Sequence, residues 1–503
     1  MRPLVTPEEM ARADSTTIDA GTPGAELMER AGRAVLRAVL EVAGGRYGRR
    51  ITVVCGPGNN GGDGFVVARL ARREGCSVRC VFVGDPSRVK GDPAHHLELF
   101  RSAGGRTDGL EPDSLEDSDV IVDALFGTGF HGAARGAPAA AIDAMNSSVA
   151  PVVAIDIPSG VDGATGAADG PAVWAAVTVA MAALKVGTAV PPGAIHAGRI
   201  EVADIGIAVQ DTGFSLSEAA DVAALLPRRA VDSHKRSSGS VALLGGSAGM
   251  SGAIILAARA AMRAGAGYAT VGVTQGVDAV VSVAAPEILT RVVSDSDVLG
   301  PDALDAFKDV IERADVLAIG PGLGASQPQA GLLEAVLRRV EVPVVVDADG
   351  LNVLAGGTAA LTRRTAPIVV TPHPGELSRL LGVSTAAVQN DRIGSARSAA
   401  ERFGCVVVLK GFRSLIADPS GHLVVNPTGG PELATAGTGD VLTGVVAALI
   451  GGGLDPFEAA WAATYVHGLA GSIAAQSKGT TGVVAGDVAD ALPHAQIAVA
   501  SSP

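Results

Sequence analysis

The chain has 503 residues, 48% apolar and only 3% aromatic, with 66 glycines and a formal charge of −13. That length predicts two or more domains, and the acidic balance excludes a nucleic-acid backbone or an anionic membrane as the main partner. The four cysteines are too scattered for a disulfide framework or a zinc set. The opening MRPLVTPEEMARADS lacks the apolar core of a signal peptide, so a cytoplasmic location is expected.

Residues 6–40 read as helices, with Thr6 as N-cap and Pro7 in the first helical position. Strands are predicted at 51–55, 77–83, 119–123 and 152–156, with further runs near Val177 and Ile200. A helix is predicted over 65–73, and the alternation implies a parallel, doubly wound sheet. The pattern loosens from 208 to about 231, where the domain boundary is placed. Strands then recur at 240–244, 268–273, 315–319, 342–347, 367–371, 406–410 and 422–425, forming a second α/β domain with its own sheet. The tail after Leu492 is expected to fray. His95-His96 reads as a solvated helix face and the cysteines as buried or idle thiols.

The string GPGNNGGDG, residues 56–64, joins a strand to a helix, the setting that places a pyrophosphate on a helix N-terminus. With Asp85 near the end of the next strand, where a ribose-binding acid belongs, a dehydrogenase is a fair rival reading. Asp123 closes DVIVD before ALFGTGFHG, and Asp156 closes VVAID before IPSGVDG. Strand ends of a parallel sheet gather on one edge, so Asn60, Asp123, Asp156 and Ser159 are candidates to converge as oxygen donors for a hard cation. Each Asp is equally readable as a helix cap.

In the second half, NPTGGPELATAGTGDVLTG, residues 426–444, leads a polar glycine turn into an apolar helix. The N–H groups of Thr438, Gly439 and Asp440 would converge on an anion, with Asp440 as base for an attacking hydroxyl; phosphoryl transfer needs that pairing. A capping Asp is the plainer alternative. Lys410 could contact phosphate or be a surface charge, His373 could be structural, and the DADGLN acids could cap a helix or meet Mg²⁺-bound phosphate.

The motifs NNGGDG, DALFGTG and DIPSGVDG resemble the NAD(P)H-hydrate epimerase family, the YjeF N-terminal domain, over roughly residues 1–210. The Gly-Thr-Gly-Asp turn resembles ribokinase-like kinases. With LLGGSAGMSGA, GPGLG, DADGLN, TPHPGEL and LKGFRS it is similar to the ADP- or ATP-dependent NAD(P)H-hydrate dehydratases over about 225–495. These resemblances imply a Rossmann-like epimerase domain at 1–212 and a ribokinase-like α/β/α dehydratase domain at 222–495. In the first, Asn60, Asp123 and Ser159 would hold K⁺. Asn59, Asn60, Gly61, Gly62, Asp63 and residues Gly127, Thr128, Gly129, Phe130, His131, Gly132 and Ala133 would bind hydrated NADH or NADPH, and Asp156 would handle the proton. In the second, Ala253, Gly322, His373 and Asp440 would line the hydrate site, with Asp440 catalytic. Lys410, Gly411, Phe412, Arg413, Ser414 and Gly439 would hold ADP, with Mg²⁺. Expected are epimerisation of the R and S hydrates and ADP-dependent dehydration of the S form, releasing AMP and phosphate, by a homo-oligomer. A net kinase and a non-catalytic first domain are the other readings. The loop HKRSSG at 234–239 departs from the family's glycine-rich lead into its strand.

Overall fold

The computed structural model describes residues 1–210, 212–229, 231–232, 234–355 and 357–501. The chain divides into two compact units, Arg2–Phe214 and Ser215 onward.

The first unit opens with a helix at Pro7–Asp19, started as its sequence predicts: Thr6 Oγ1 accepts from Glu9 N at 3.2 Å, and the Glu9 carboxylate accepts from Thr6 N at 2.8 Å. Its sheet has seven parallel strands in the order Thr107–Asp108, Ser77–Phe82, Arg50–Cys55, Val120–Ala124, Val152–Ile155, Val177–Met181 and Arg199–Ala203. The winding reverses between Arg50–Cys55 and Val120–Ala124, which makes the carboxyl end of that pair the place for a ligand. The central strands are buried on both faces, as near-continuous Val and Ile runs require.

In the second unit, the strands of the main run lie in the order Leu289–Ser294, Tyr268–Thr274, Ser240–Leu244, Val316–Ile319, Val344–Val346, Ile368–Val370, Val406–Leu409, Leu415–Ala417 and Leu423–Val425. Pairing is parallel up to Val406–Leu409 and antiparallel in the last two steps. Here too the winding reverses, between Ser240–Leu244 and Val316–Ile319. The helices Ser251–Arg263 and Thr438–Gly451 touch at Gly444, where a Cβ would stand 2.0 Å from the Ala257 carbonyl oxygen. Only glycine lets the two backbones approach so closely.

Two expectations are corrected. The tail does not fray at Leu492: a helix spans Ala485–Ala500 through Pro493, because Leu492, Ala495 and Val499 are buried in the core. His96 is not solvated but buried, with Nε2 3.0 Å from the Ala25 carbonyl oxygen. The cysteines are free and buried, as read. No helix among the described residues is long and apolar enough to cross a membrane.

Candidate functional site

At the reversal point of the first sheet lies a cavity of about 680 Å³. Gly56 leaves the strand Arg50–Cys55 so tightly that a Cβ there would lie 2.2 Å from the Leu125 carbonyl oxygen; one at Gly61 would lie 1.9 Å from that of Gly56. The turn therefore has to be glycine. It delivers the helix Asn59–Arg73, beginning six residues earlier than the sequence suggests, so the N–H groups of Asn59 and Asn60 stand at the cavity, an anion-binding arrangement.

Beside them, the Asp123 carboxylate is completely buried. It accepts from Ser159 N at 2.7 Å, Ser159 Oγ at 2.6 Å and Leu125 N at 3.2 Å. Ser159 Oγ accepts from Phe126 N at 2.9 Å, and Asn60 Nδ2 donates to the Phe126 carbonyl at 2.8 Å. Asp123 thus ties together the loops after two strands, and Asn60 ties them to the glycine helix. Burial pushes Asp123 up to about 6, against the pull of its hydrogen bonds from Ser159 and Leu125. Its partners are all neutral, and the surrounding donors are amide, hydroxyl and carbonyl oxygens, a set that fits a hard monovalent cation.

Asp156 sits at φ +67°, a left-handed conformation that Asp tolerates better than bulkier residues. Its Oδ1 accepts from Met181 N at 3.0 Å and from the Lys185 ammonium in a short contact. Lys185 is wholly buried and also donates to the Met181 carbonyl at 2.6 Å. Both protein donors engage Oδ1, and Oδ2 accepts no hydrogen bond from the described residues. Asp63 and Asp14 line the same cavity. Burial raises both carboxyls, with Asp156 adding to the shift and Lys185 opposing it.

Of the residues expected here, Asn59, Asn60, Asp63, Gly127 to His131 and Asp156 line the cavity. Gly61 packs on Gly56, Gly62 on Met28 and Ala133 against Gly170, so these shape the wall from behind; Gly132 also lies outside the lining. Asp85, the ribose acid of the rival reading, instead caps a short turn through Ser87 N at 2.9 Å and lies outside the cavity. Lys185 and Asp14 were missed: Lys185 is a lone charge closing an apolar run and Asp14 is one of several charges on its helix, and only the fold brings them to Asp156.

In the second unit, Gly437 adopts φ +92° and launches the helix Thr438–Gly451 with Asp440 in its first turn. A Cβ on Gly439 would lie 3.3 Å from Lys410 Nζ and 3.8 Å from Asp347 Oδ2, so the turn and the lysine head share one place. Lys410 Nζ is 2.7 Å from Asp347 Oδ1 and 3.8 Å from Glu376 Oε2. Asp347 Oδ2 accepts from Thr443 Oγ1 at 2.7 Å, which braces the helix one turn beyond Asp440. Burial presses the Lys410 ammonium down, but Asp347 and Glu376 outweigh it and hold it above its ordinary value. Burial, then Asp347, push Asp440 up to about 7, while Lys410 restrains the shift. A carboxyl that titrates near neutrality is suited to accepting a hydroxyl proton.

His373 caps the helix Pro374–Leu381: its Nδ1 accepts from Gly375 N at 3.0 Å and Glu376 N at 3.3 Å. Nδ1 as acceptor leaves the proton on Nε2, and burial, with Lys410 and Arg379, lowers the pKa. Gly322, at φ +60°, meets Ala253, with a built Cβ 3.2 Å from that of Ala253. The DADGLN acids separate: Asp347 pairs with Lys410, whereas Asp349 accepts from Gly324 N at 2.9 Å. In the segment 410–414, Ser414 Oγ donates to the Gly411 carbonyl at 2.9 Å, Phe412 is half-exposed, and the Arg413 guanidinium stands 5.7 Å from the Phe412 ring centre.

Residues 241–494 match the family model described as NAD(P)H-hydrate dehydratase, and residues 24–187 match that of the YjeF-related protein N-terminus. The bifunctional NAD(P)H-hydrate repair enzyme of Moorella thermoacetica is 44% identical, over 98% of this chain and 96% of that one. The enzyme of the same description from Escherichia coli K12 is 36% identical, over 92% and 88%. Among solved structures, a ribokinase-like superfamily protein from Enterococcus faecalis V583 is 28% identical with a TM-score of 0.51, covering 59% of this chain and 99% of that one.

Proposed function

Because the chain belongs to the family of bifunctional NAD(P)H-hydrate repair enzymes, we propose that it interconverts the R and S hydrates of NADH and NADPH and then dehydrates the S form at the expense of ADP. We assign the first step to an epimerase domain at 1–212 and the second to a dehydratase domain at 222–495.

In the first site, the N–H groups of Asn59 and Asn60 and the loop 127–131 take the hydrate's phosphates. The Asp156 carboxylate takes the proton of the C6 hydroxyl. The C6–N1 bond breaks, its electron pair goes to N1, and N1 then attacks the other face of the resulting carbonyl while Asp156 returns the proton to its oxygen, giving the second epimer. Asn60, Asp123 and Ser159 would hold K⁺, supported by the buried Asp123 carboxylate, which has no cationic partner among the described residues; the ion would supply the charge that lets this acid stay ionised.

In the second site, Asp440 takes the proton of the S-hydrate hydroxyl as that oxygen attacks the terminal phosphorus of ADP, and the bond to the departing AMP breaks. Gly439 and Lys410 hold the transferred group; Ala253, Gly322 and His373 orient the nicotinamide ring. Phosphate then leaves with the electron pair of its C6–O bond, a proton leaves C5, and the C5–C6 double bond returns. Asp347, Glu376 and Asp440 surround one lysine with carboxylates, and Asp349 acts on Asp440 from beyond them, an excess of negative charge that fits the arrival of Mg²⁺ with the nucleotide; the ion would neutralise phosphate charge. The observation that carries this reading is Asp440, held near neutrality at a helix start beside Lys410.

The test is incubation with mixed hydrate epimers and ADP, followed by the absorbance of the reduced nicotinamide. Recovery of the whole mixture is expected, and an Asp156→Asn variant should recover the S share only. Accumulation of a phosphorylated organic product without recovered absorbance would make the enzyme a net kinase.

A further inference from the structure

Just beneath the segment 410–414 lies a cation that none of the motifs contains. Arg392 opens the helix Arg392–Phe403 and is 6% exposed. Its Nη1 donates to Gln389 Oε1 at 3.0 Å, and its Nη2 reaches the Leu409 and Lys410 carbonyls at the long distances of 3.4 and 3.5 Å. Its Nε is buried without a partner. No carboxylate pairs with it among the described residues. Burial alone lowers it to about 10, so it stays charged at neutral pH.

The loop is shaped to this guanidinium. Gly411 adopts φ +137°, and a Cβ there would lie 3.0 Å from Nη1 and 3.2 Å from Nη2. A side chain at 411 would press on the guanidinium and would also be strained at that backbone angle. A second guanidinium, Arg413, lies in the same segment at φ +56°, again with its Nε buried and unpartnered and its pKa lowered by burial. Lys410, by contrast, is neutralised by Asp347. Arg413 in the segment and Arg392 beneath it are thus two desolvated positive charges, neither of which has a carboxylate partner among the described residues. A buried charge in that condition is costly until an anion offsets it.

We propose that Arg392 is a positioning residue of the nucleotide loop, holding residues 409–411 from below and supplying the uncompensated positive charge through which the site selects an adenine nucleotide by its phosphates. This rests on residues 410–414 being the nucleotide segment. The charge acts across the Gly411 peptide rather than by direct contact, so its influence grows with the ligand's negative charge. Adenosine, AMP and ADP should therefore respond differently to its loss.

The experiment measures dissociation constants of those three ligands for the full chain by calorimetry. Arg392→Gln keeps an N–H donor near the position of Nε while removing the charge; Arg392→Met removes both. Expected are a loss of about tenfold or more for ADP, a smaller loss for AMP and less than about twofold for adenosine in Arg392→Gln. Arg392→Lys should keep most of the ADP preference. Thermal unfolding controls for folding, and if the methionine variant fails to fold, the glutamine and lysine variants decide. An equal loss for all three ligands, or unchanged ADP binding, overturns the proposal and leaves the nucleotide assignment standing. Wild type that binds none of the three removes the assignment and the proposal together.

Discussion

Replacing Asp440 by Asn changes one oxygen for an NH₂ group and tests two consequences of its environment at once. Burial and neighbouring acids raise this carboxyl from 3.8 to about 7. The wild-type dehydration rate should therefore fall about tenfold per unit below pH 7, with roughly a tenth of the enzyme ionised at pH 6 and nine-tenths at pH 8. A raised carboxyl also costs stability. Between pH 4 and 7 the native state binds the extra proton, so stability falls as pH rises through that window and levels off above it. The full shift corresponds to about 4 kcal/mol, and discounting for partial exposure leaves roughly 2–3 kcal/mol at pH 8. Asp440→Asn should accordingly be inactive in dehydration yet more stable than wild type at pH 8, with no difference near pH 4. Trp461 is buried in the second unit's core and Trp174 is exposed in the first. Fluorescence in a Trp174→Phe background thus follows the second unit's unfolding without ligands. A stabilisation independent of pH, or a wild-type rate flat from pH 6 to 8, would refute the reasoning.

Lys185→Met should abolish epimerisation, leave dehydration of pure S-hydrate unchanged, and destabilise the first unit by about 1–3 kcal/mol by leaving the half-buried Asp156 without its cation; chemical denaturation and separate assays of the two steps check this, and surviving epimerisation would dismiss the assignment. Asp123→Asn should remove any activation of epimerisation by K⁺ over tetramethylammonium, read as rate against cation concentration. Gly61→Ala would place a methyl 1.9 Å from the Gly56 carbonyl oxygen and should lower the first unit's stability by more than about 2 kcal/mol, measured by urea unfolding.

The sequence carried the buried parallel strands well: Ser240–Leu244 lies where its apolar run ends, because such runs are bounded by glycine turns on one side and polar residues on the other. It missed Leu289–Ser294, of which half the residues are exposed and which follows no alternation, and Leu415–Ala417, too short to show a period. The tail expected to fray after Leu492 is instead held helical through Pro493 by core packing. At the sites, legibility followed local density. Asn59 to Asp63 and Thr438 to Asp440 are dense strings, and their chemistry could be named. Lys185 reaches Asp156 from 29 residues away, and Arg392 lies 18 residues before Lys410; such partners exist only once the chain is folded.

The left-handed backbone at Asp156 bears on how an inactive first site should be made. Alanine at that position would remove the carboxylate and also place a residue with no polar side chain in a conformation it avoids, at a cost on the order of 1 kcal/mol. It would strand Lys185 as well. A dead Asp156→Ala enzyme would therefore confound lost proton transfer with a displaced strand end and an unpaired ammonium. Asparagine accepts the same backbone angles and still offers Oδ1 to Met181 N and to Lys185. It is the substitution that silences the chemistry while leaving the architecture as a control.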